Sequence, residues 1–371
     1  MSTPSGDDDA SRIPPRPPLP SRIHDAEQRS ADQISPPSGQ ENPVLRSGEN
    51  PTLRGGENLQ AQFRAKKAEI ETHVSHARDQ LDQANERIKE RTGRDLVVAT
   101  GVGLLIGGVI LASLLLAKWS FVVIGLAIIL IAVWELVLAL RIGGRKVDLW
   151  PQLVLGAALA AGGYFAEPWL TWVMLFVAVF GVVVWRLVAQ MVAKDGRTYG
   201  DVLTDALAGG FIQVYVPFLG ALMLMLLRQP RGEWWVLSLI VVVVVADTCA
   251  YASGLLFGRG GRHPMAPRVS PKKTWEGFAG AVLGSLVAGA LVGVYLLGLP
   301  WWAGLIVGAA LVASATIGDL GESLLKRDLG IKDMSSWIPG HGGLLDRLDS
   351  ILPSAVVALA LYLLLTPLAA A

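Results

Sequence analysis

The chain has 371 residues, 52% of them hydrophobic and only 17% charged, which is the profile of a membrane protein rather than a soluble one. Its formal net charge of +1 says little about partners, because 14 of the 32 Lys and Arg precede Asp95 and the rest lie mainly between apolar runs; no nucleic-acid partner is expected. The single cysteine, Cys249, excludes an intrachain disulfide and a cysteine metal cluster.

Residues 1–57 are rich in Pro, Ser, Gly, Asp and Arg and carry too little apolar surface to offset chain ordering, so a disordered tail is expected. Its near-repeat, ENPVLRSG then ENPTLRGG, is too short for a repeat fold. The start lacks the basic, apolar and small-residue regions of a signal peptide, so the first apolar span is expected to direct insertion. Over 58–95, Phe63, Ile70, Val74, Ala77, Leu81, Ala84 and Ile88 recur at steps near three and four, which predicts a soluble amphipathic helix. It either lies on the membrane surface or pairs as a short dimeric coiled coil, and Lys67 on the seam weakens the second reading.

A transmembrane domain is expected over 96–371, where apolar runs reach the length that crosses about 30 Å of hydrocarbon as a helix. Nine spans are placed near 97–117, 119–140, 149–166, 168–190, 203–227, 234–256, 277–298, 301–323 and 350–369. The fold class is therefore all-α and polytopic. The connections at 141–148, 186–199, 259–273 and 326–347 hold fifteen basic residues, and the opposite set holds only Lys118, Arg228 and Arg231. By the positive-inside rule the first set and the N-terminus are cytoplasmic, and the C-terminus exits on the far side.

The longest polar interruption reads GDLGESLLKRDLGIKDMSSWIPGHGGLLDRLDS, from Gly318 to Ser350. It is far richer in charge than a connector needs. Asp319 near the end of the eighth span and Asp346 near the start of the ninth can face one cavity at the membrane boundary. Two carboxylates brought together there repel unless a cation lies between them. Mg²⁺ suits such a site, as a hard ion that takes oxygen ligands and completes its shell with phosphates. The plainer alternative is that these aspartates pair with Lys326, Arg327 or Arg347 as charged helix ends.

Before the seventh span, RVSPKKTWEGFAG offers Lys272 and Lys273 with the hydroxyls of Ser270 and Thr274, groups that suit phosphate oxygens or that simply anchor a cytoplasmic loop. Asp247 lies inside an apolar run, where a carboxylate costs about 2.5–3.5 kcal/mol, so it is expected to face a cavity or a partner helix. His341, between glycines, is a candidate acid, base or ligand, or marks a tight backbone whose amides approach a ligand. Glu135 and Asp205 sit near span ends, where snorkelling or pairing accounts for them.

The run SLLKRDLGIKDMSSWIPGHGGLLDRLD, Ser323 to Asp349, resembles the complete signature of the phosphatidate cytidylyltransferases. DTCAYASGLLFGR from Asp247 and SPKKTWEG from Ser270 resemble that family's upstream motifs in order and distance. The resemblance covers the last six or so helices by motif and the first three by hydropathy alone. It implies that the phosphate of phosphatidic acid attacks the α-phosphorus of CTP, giving CDP-diacylglycerol and pyrophosphate. Carried over position by position, it implies Asp319 and Asp346 as the metal-binding pair at the reacting centre, with Lys332 and His341 beside them. Asp247 and Asp349 are implied as supporting residues, and Ser270, Lys272, Lys273, Lys326, Arg327 and Arg347 as phosphate contacts. It further implies Mg²⁺, with or without a monovalent cation such as K⁺, a homodimer, and a site in the cell membrane that meets CTP from the cytosol and phosphatidic acid from the bilayer.

Two rivals remain at this point. A cation- or proton-coupled transporter would use carboxylates within spans, but would spread them through the membrane depth. A related polyprenol kinase would share the topology.

Overall fold

The computed structural model describes residues 96–193, 195–258, 263–335 and 342–369, all within one compact unit. The expected tail, the amphipathic helix over 58–95 and His341 lie outside the described residues. Nine apolar helices follow one another: α1 (Leu96–Leu116), α2 (Lys118–Ile142), α3 (Leu149–Phe165), α4 (Pro168–Val192), α5 (Tyr199–Arg228), α6 (Gly232–Phe257), α7 (Trp275–Leu297), α8 (Trp301–Asp328) and α9 (Leu345–Leu368). Seven of them, α2 and α4 to α9, are long and apolar enough to cross a membrane, while α3 and the apolar part of α1, Leu105–Leu116, are shorter. The chain is an all-α polytopic membrane protein.

Side-chain contacts sort the helix ends into two sets that match the alternation of charge. At one end Lys118 pairs with Glu233, Arg228 reaches the Ala166 carbonyl, and Arg231 donates to the Leu296 carbonyl. At the other end the Lys146 amide donates to Asp205, Arg197 donates to the Gly144 carbonyl, and Arg327 donates to the Val269 carbonyl. The described members of the fifteen basic residues counted in those connections lie towards this second end.

The core lies where α2, α5, α6, α8 and α9 meet, with Val133, Leu136, Leu226, Val236, Leu239 and Leu311 buried. Phe176, Phe180, Leu255 and Leu283 are exposed instead, as apolar groups must be where lipid replaces water. Helix α5 starts on a capping box between Thr198 and Asp201. Pro217 within it has no N–H to donate, and the helix widens there into a π turn over Val214–Phe218.

Helices α7 and α8 touch through backbone: a Cβ on Gly308 would stand 2.2 Å from the Ser285 carbonyl oxygen. Gly308→Ala is therefore expected to cost about 1–3 kcal/mol through overpacking. Gly107→Ala, where a Cβ meets nothing within 4 Å, should be neutral or better. Thermal unfolding midpoints of the two variants in detergent, against the native chain, check this.

Spans placed near 301–323 and 350–369 prove too short at their polar ends. Helix α8 continues to Asp328 because Leu325 still packs on the core and Glu322 and Lys326 form an i,i+4 pair. Helix α9 begins at Leu345, whose side chain is fully buried. Between α6 and α7 the chain makes an antiparallel hairpin of β1 (Pro264–Ala266) and β2 (Ser270–Thr274), with Pro264 opposite Thr274 and Ala266 opposite Ser270.

Candidate active site

Four elements converge at the basic end. On strand β2 Lys272 is exposed while Lys273 is half-buried and pairs with an oxygen of Asp319 on α8. Thr274, which is buried, then caps α7 by accepting from the Gly277 amide. Along α8, Asp319, Glu322, Ser323 and Lys326 share one face at helical spacing. The Lys326 ammonium lies 3.2 Å from Glu322 Oε1 and 2.9 Å from Asp346 Oδ1, bridging α8 to the first turn of α9. The other Asp346 oxygen accepts from the amides of Met334, at 3.0 Å, and Gly343, at 2.9 Å.

Asp349, one turn further, accepts from the amide and hydroxyl of Ser350. At Gly318 the two helices approach so closely that a Cβ would stand 2.3 Å from the Asp349 carbonyl oxygen. Asp247 comes from α6 and is exposed. Asp319 acts electrostatically on both Asp247 and Asp349, and Asp247 on Asp349, so the three carboxyl groups lie within electrostatic reach of one another. The structure thus brings together Asp247, Lys273, Asp319, Lys326, Asp346 and Asp349. Arg327 turns to the hairpin carbonyl of Val269, Arg347 is exposed within electrostatic reach of Asp247, Lys272 and Lys332 are exposed, and Ser270 is half-buried in β2.

Two groups escaped the sequence reading, and a third was read there without its link to the site. Glu322 is buried and holds Lys326, a role that its spacing of three from Asp319 and four from Lys326 would show once the helix is extended. Tyr215 enters from the π turn of α5 within electrostatic reach of Glu322, Asp349 and Asp319. Its hydroxyl and Glu322 Oε2 are buried with no hydrogen-bond partner among the described residues. Glu135 on α2 is also fully buried and accepts from Ser335 and from the amides of Leu344 and Leu345. It does not snorkel.

Asp205 takes the pairing expected as the alternative to snorkelling. It is buried and accepts from Arg186, Arg197 and the Lys146 amide, tying α4 and α5 to the α2–α3 connection. Beside it the Lys146 ammonium and the Gln190 amide hold the Asp195 carboxyl well below the usual carboxylate range. This network stabilises the end of the bundle and touches none of the clustered carboxylates.

A model of the cytidylyltransferase family matches residues 97–365, from the second residue of α1 into the last turns of α9. The chain belongs to that family. A phosphatidate cytidylyltransferase of Mycobacterium leprae is 40% identical over 291 residues, 74% of this chain and 90% of the relative. One of Mycobacterium bovis is 40% identical over 281 residues, covering 72% and 88%. One of Haemophilus influenzae is 42% identical over 127 residues, covering 33% and 43%. In this member of the cytidylyltransferase family the carboxylates gather at one end, which is not the spread through membrane depth that a transporter pathway would need.

The carboxylates of the cluster offer the oxygen donors that a hard cation takes. Two oxygens of the site, Glu322 Oε2 and the Tyr215 hydroxyl, are buried without partners among the described residues. No group of three or more His, Cys, Asp and Glu among the described residues forms a protein-only cage. Mg²⁺ is commonly held by one or two carboxylates with substrate phosphates and water, so this donor set suits it.

Proposed function

We propose that this chain transfers the cytidylyl group of CTP to phosphatidic acid at the membrane surface. The carrying observation is the juxtaposition of Asp319 and Asp346 with the ammonium groups of Lys273 and Lys326 at one end of an apolar helical body. A phosphate oxygen of phosphatidic acid forms a bond to the α-phosphorus of CTP, the bond to the β-phosphate oxygen breaks, and pyrophosphate leaves with that electron pair. CDP-diacylglycerol remains. Such a displacement asks for alignment and charge neutralisation rather than covalent catalysis.

Asp319 and Asp346 already engage the ammonium groups of Lys273 and Lys326, so polyanionic CTP would find little attraction there without an added cation. Mg²⁺, held by Asp319 and Asp346 with Asp247 and Asp349 in support, supplies that neutralisation when bound; a monovalent cation such as K⁺ would join it. Lys273 and Lys326 then bind phosphate oxygens. Ser270, Lys272, Arg327, Lys332 and Arg347 guide the triphosphate and the lipid headgroup at the rim, and His341 completes the reacting centre.

The apolar body keeps the acyl chains of phosphatidic acid in the bilayer while its headgroup reaches this end. The surplus of basic residues supports a cytoplasmic orientation of that end in the cell membrane, with the N-terminus inside and the C-terminus outside; the family resemblance implies a homodimer. We assign 1–57 as a tail, 58–95 as an amphipathic or coiled-coil helix and 96–371 as the catalytic domain. Lys272→Cys should react with an impermeant thiol reagent only after cell lysis; reaction in intact cells would reverse the orientation.

The decisive assay mixes purified protein, CTP, phosphatidic acid and Mg²⁺. Pyrophosphate and CDP-diacylglycerol should appear in equal amounts, require both substrates, and cease on chelation. Pyrophosphate release without lipid, or none at all, would refute the reading.

A further inference from the structure

Glu135 is the one acidic residue of α2, a helix outside the motifs on which the family resemblance rests. Burying an ionised carboxylate is costly unless hydrogen bonds replace its water. Its Oε1 accepts from Ser335 Oγ at 2.6 Å and from the Leu344 amide at 2.9 Å, and its Oε2 accepts from the Leu345 amide at 2.7 Å. Two of these bonds, from the Leu344 and Leu345 amides, reach the segment that enters α9 immediately before Asp346, and Ser335 adds a third point on the connection from α8.

Gly343 shows how tight this clasp is. A Cβ there would lie 3.1 Å from Glu135 Oε1, 2.9 Å from Asp346 Oδ2 and 3.0 Å from Ser335 Oγ. Glu135 and Asp346 therefore hold one stretch of backbone between them, Asp346 through the Gly343 amide and Glu135 through the two amides that follow. Gly342 beside it has φ +80°, a conformation that favours glycine. The Gly-Gly pair of the signature is thus explained by two carboxylates as much as by any ligand.

We infer that Glu135 is a positioning residue for the reaction: it fixes the 342–345 backbone so that the Asp346 carboxylate stays aimed at the cluster. This rests on the role proposed above for Asp346. An apolar side chain would fill the same space in α2, but it would leave the Leu344 and Leu345 amides unpaired. Glutamine would place an amide NH₂ against one of those N–H groups, so it keeps the shape and loses the clasp.

The test is Glu135→Gln, with Ser335→Ala and Asp346→Asn alongside, read by amide hydrogen exchange without CTP or metal and by steady-state kinetics. Exchange in 342–349 should accelerate about tenfold or more in Glu135→Gln while α4 and α6 keep native rates. Its kcat should fall about 10- to 100-fold with the KM of each substrate within about twofold of native, since misaligning a held group costs rate. Ser335→Ala should show a smaller change of the same kind and add nothing in the Glu135→Gln background.

Native exchange in 342–349, acceleration throughout the protein, or local acceleration with native kcat would each overturn the inference. Loss of activity in Asp346→Asn with a native Glu135→Gln would refute the positioning role alone. Full activity in Asp346→Asn would refute the proposed site.

Discussion

Asp319→Asn is expected to lower turnover about 10²- to 10³-fold while leaving the unfolding midpoint unchanged or raised. A cation that neutralises phosphate charge is worth several kcal/mol in the transition state, and each 1.4 kcal/mol is about a factor of ten. The stability half follows from crowding: Asp319 lies within electrostatic reach of Asp247 and Asp349, and removing one negative charge relieves repulsion among them. Against this stands the lost pair with Lys273, which is partly exposed and worth about 1 kcal/mol at most. If Asp319 served only as a charged helix end, the substitution would do the reverse, costing a little stability and sparing turnover. CDP-diacylglycerol formation across a Mg²⁺ titration, with thermal unfolding of the same preparations, separates the two.

The helices were legible because the bilayer sets their length and hydropathy, leaving few alternatives for a run of apolar residues. All nine stand within a few residues of their expected places except at the polar ends of α5, α8 and α9. There the criterion used was apolarity, whereas the physical criterion is whether one face still packs. Leu325 and Leu345 do pack, so helix persists through charged sequence. The hairpin at Pro264–Thr274 had no signal of its own: SPKKT has no apolar alternation, and its strand pairing depends on β1.

Within the site, Asp319, Asp346, Lys273 and Lys326 were legible as chemistry, since each lies in a short charged stretch at the edge of an apolar run. Their pairing was not. The sequence offered Lys326, Arg327 and Arg347 as equal partners for the aspartates, and only the fold selects Lys326 for Asp346 and sends Arg327 to Val269. Glu135 was harder still, because its bonds to Leu344 and Leu345 span more than two hundred residues and nothing local to α2 announces them. Asp205 likewise needed Arg186 and Arg197 to be seen together.

Lys326→Met is expected to be the most damaging single change to stability in the cluster. It leaves Glu322, with a side chain 0% exposed, and Asp346, at 9%, without their shared cation. Stranding buried charge in this way costs about 3–5 kcal/mol. Adding Glu322→Gln removes the buried carboxyl that crowds Asp346, so the double variant should recover much of the lost unfolding midpoint. Activity per folded molecule should not recover, because the ammonium proposed to meet phosphate is still absent. A double variant that regains stability and turnover together would make Lys326 a structural counter-ion only. One that regains neither would mean that Asp346, rather than Glu322, is the carboxylate whose burial Lys326 offsets.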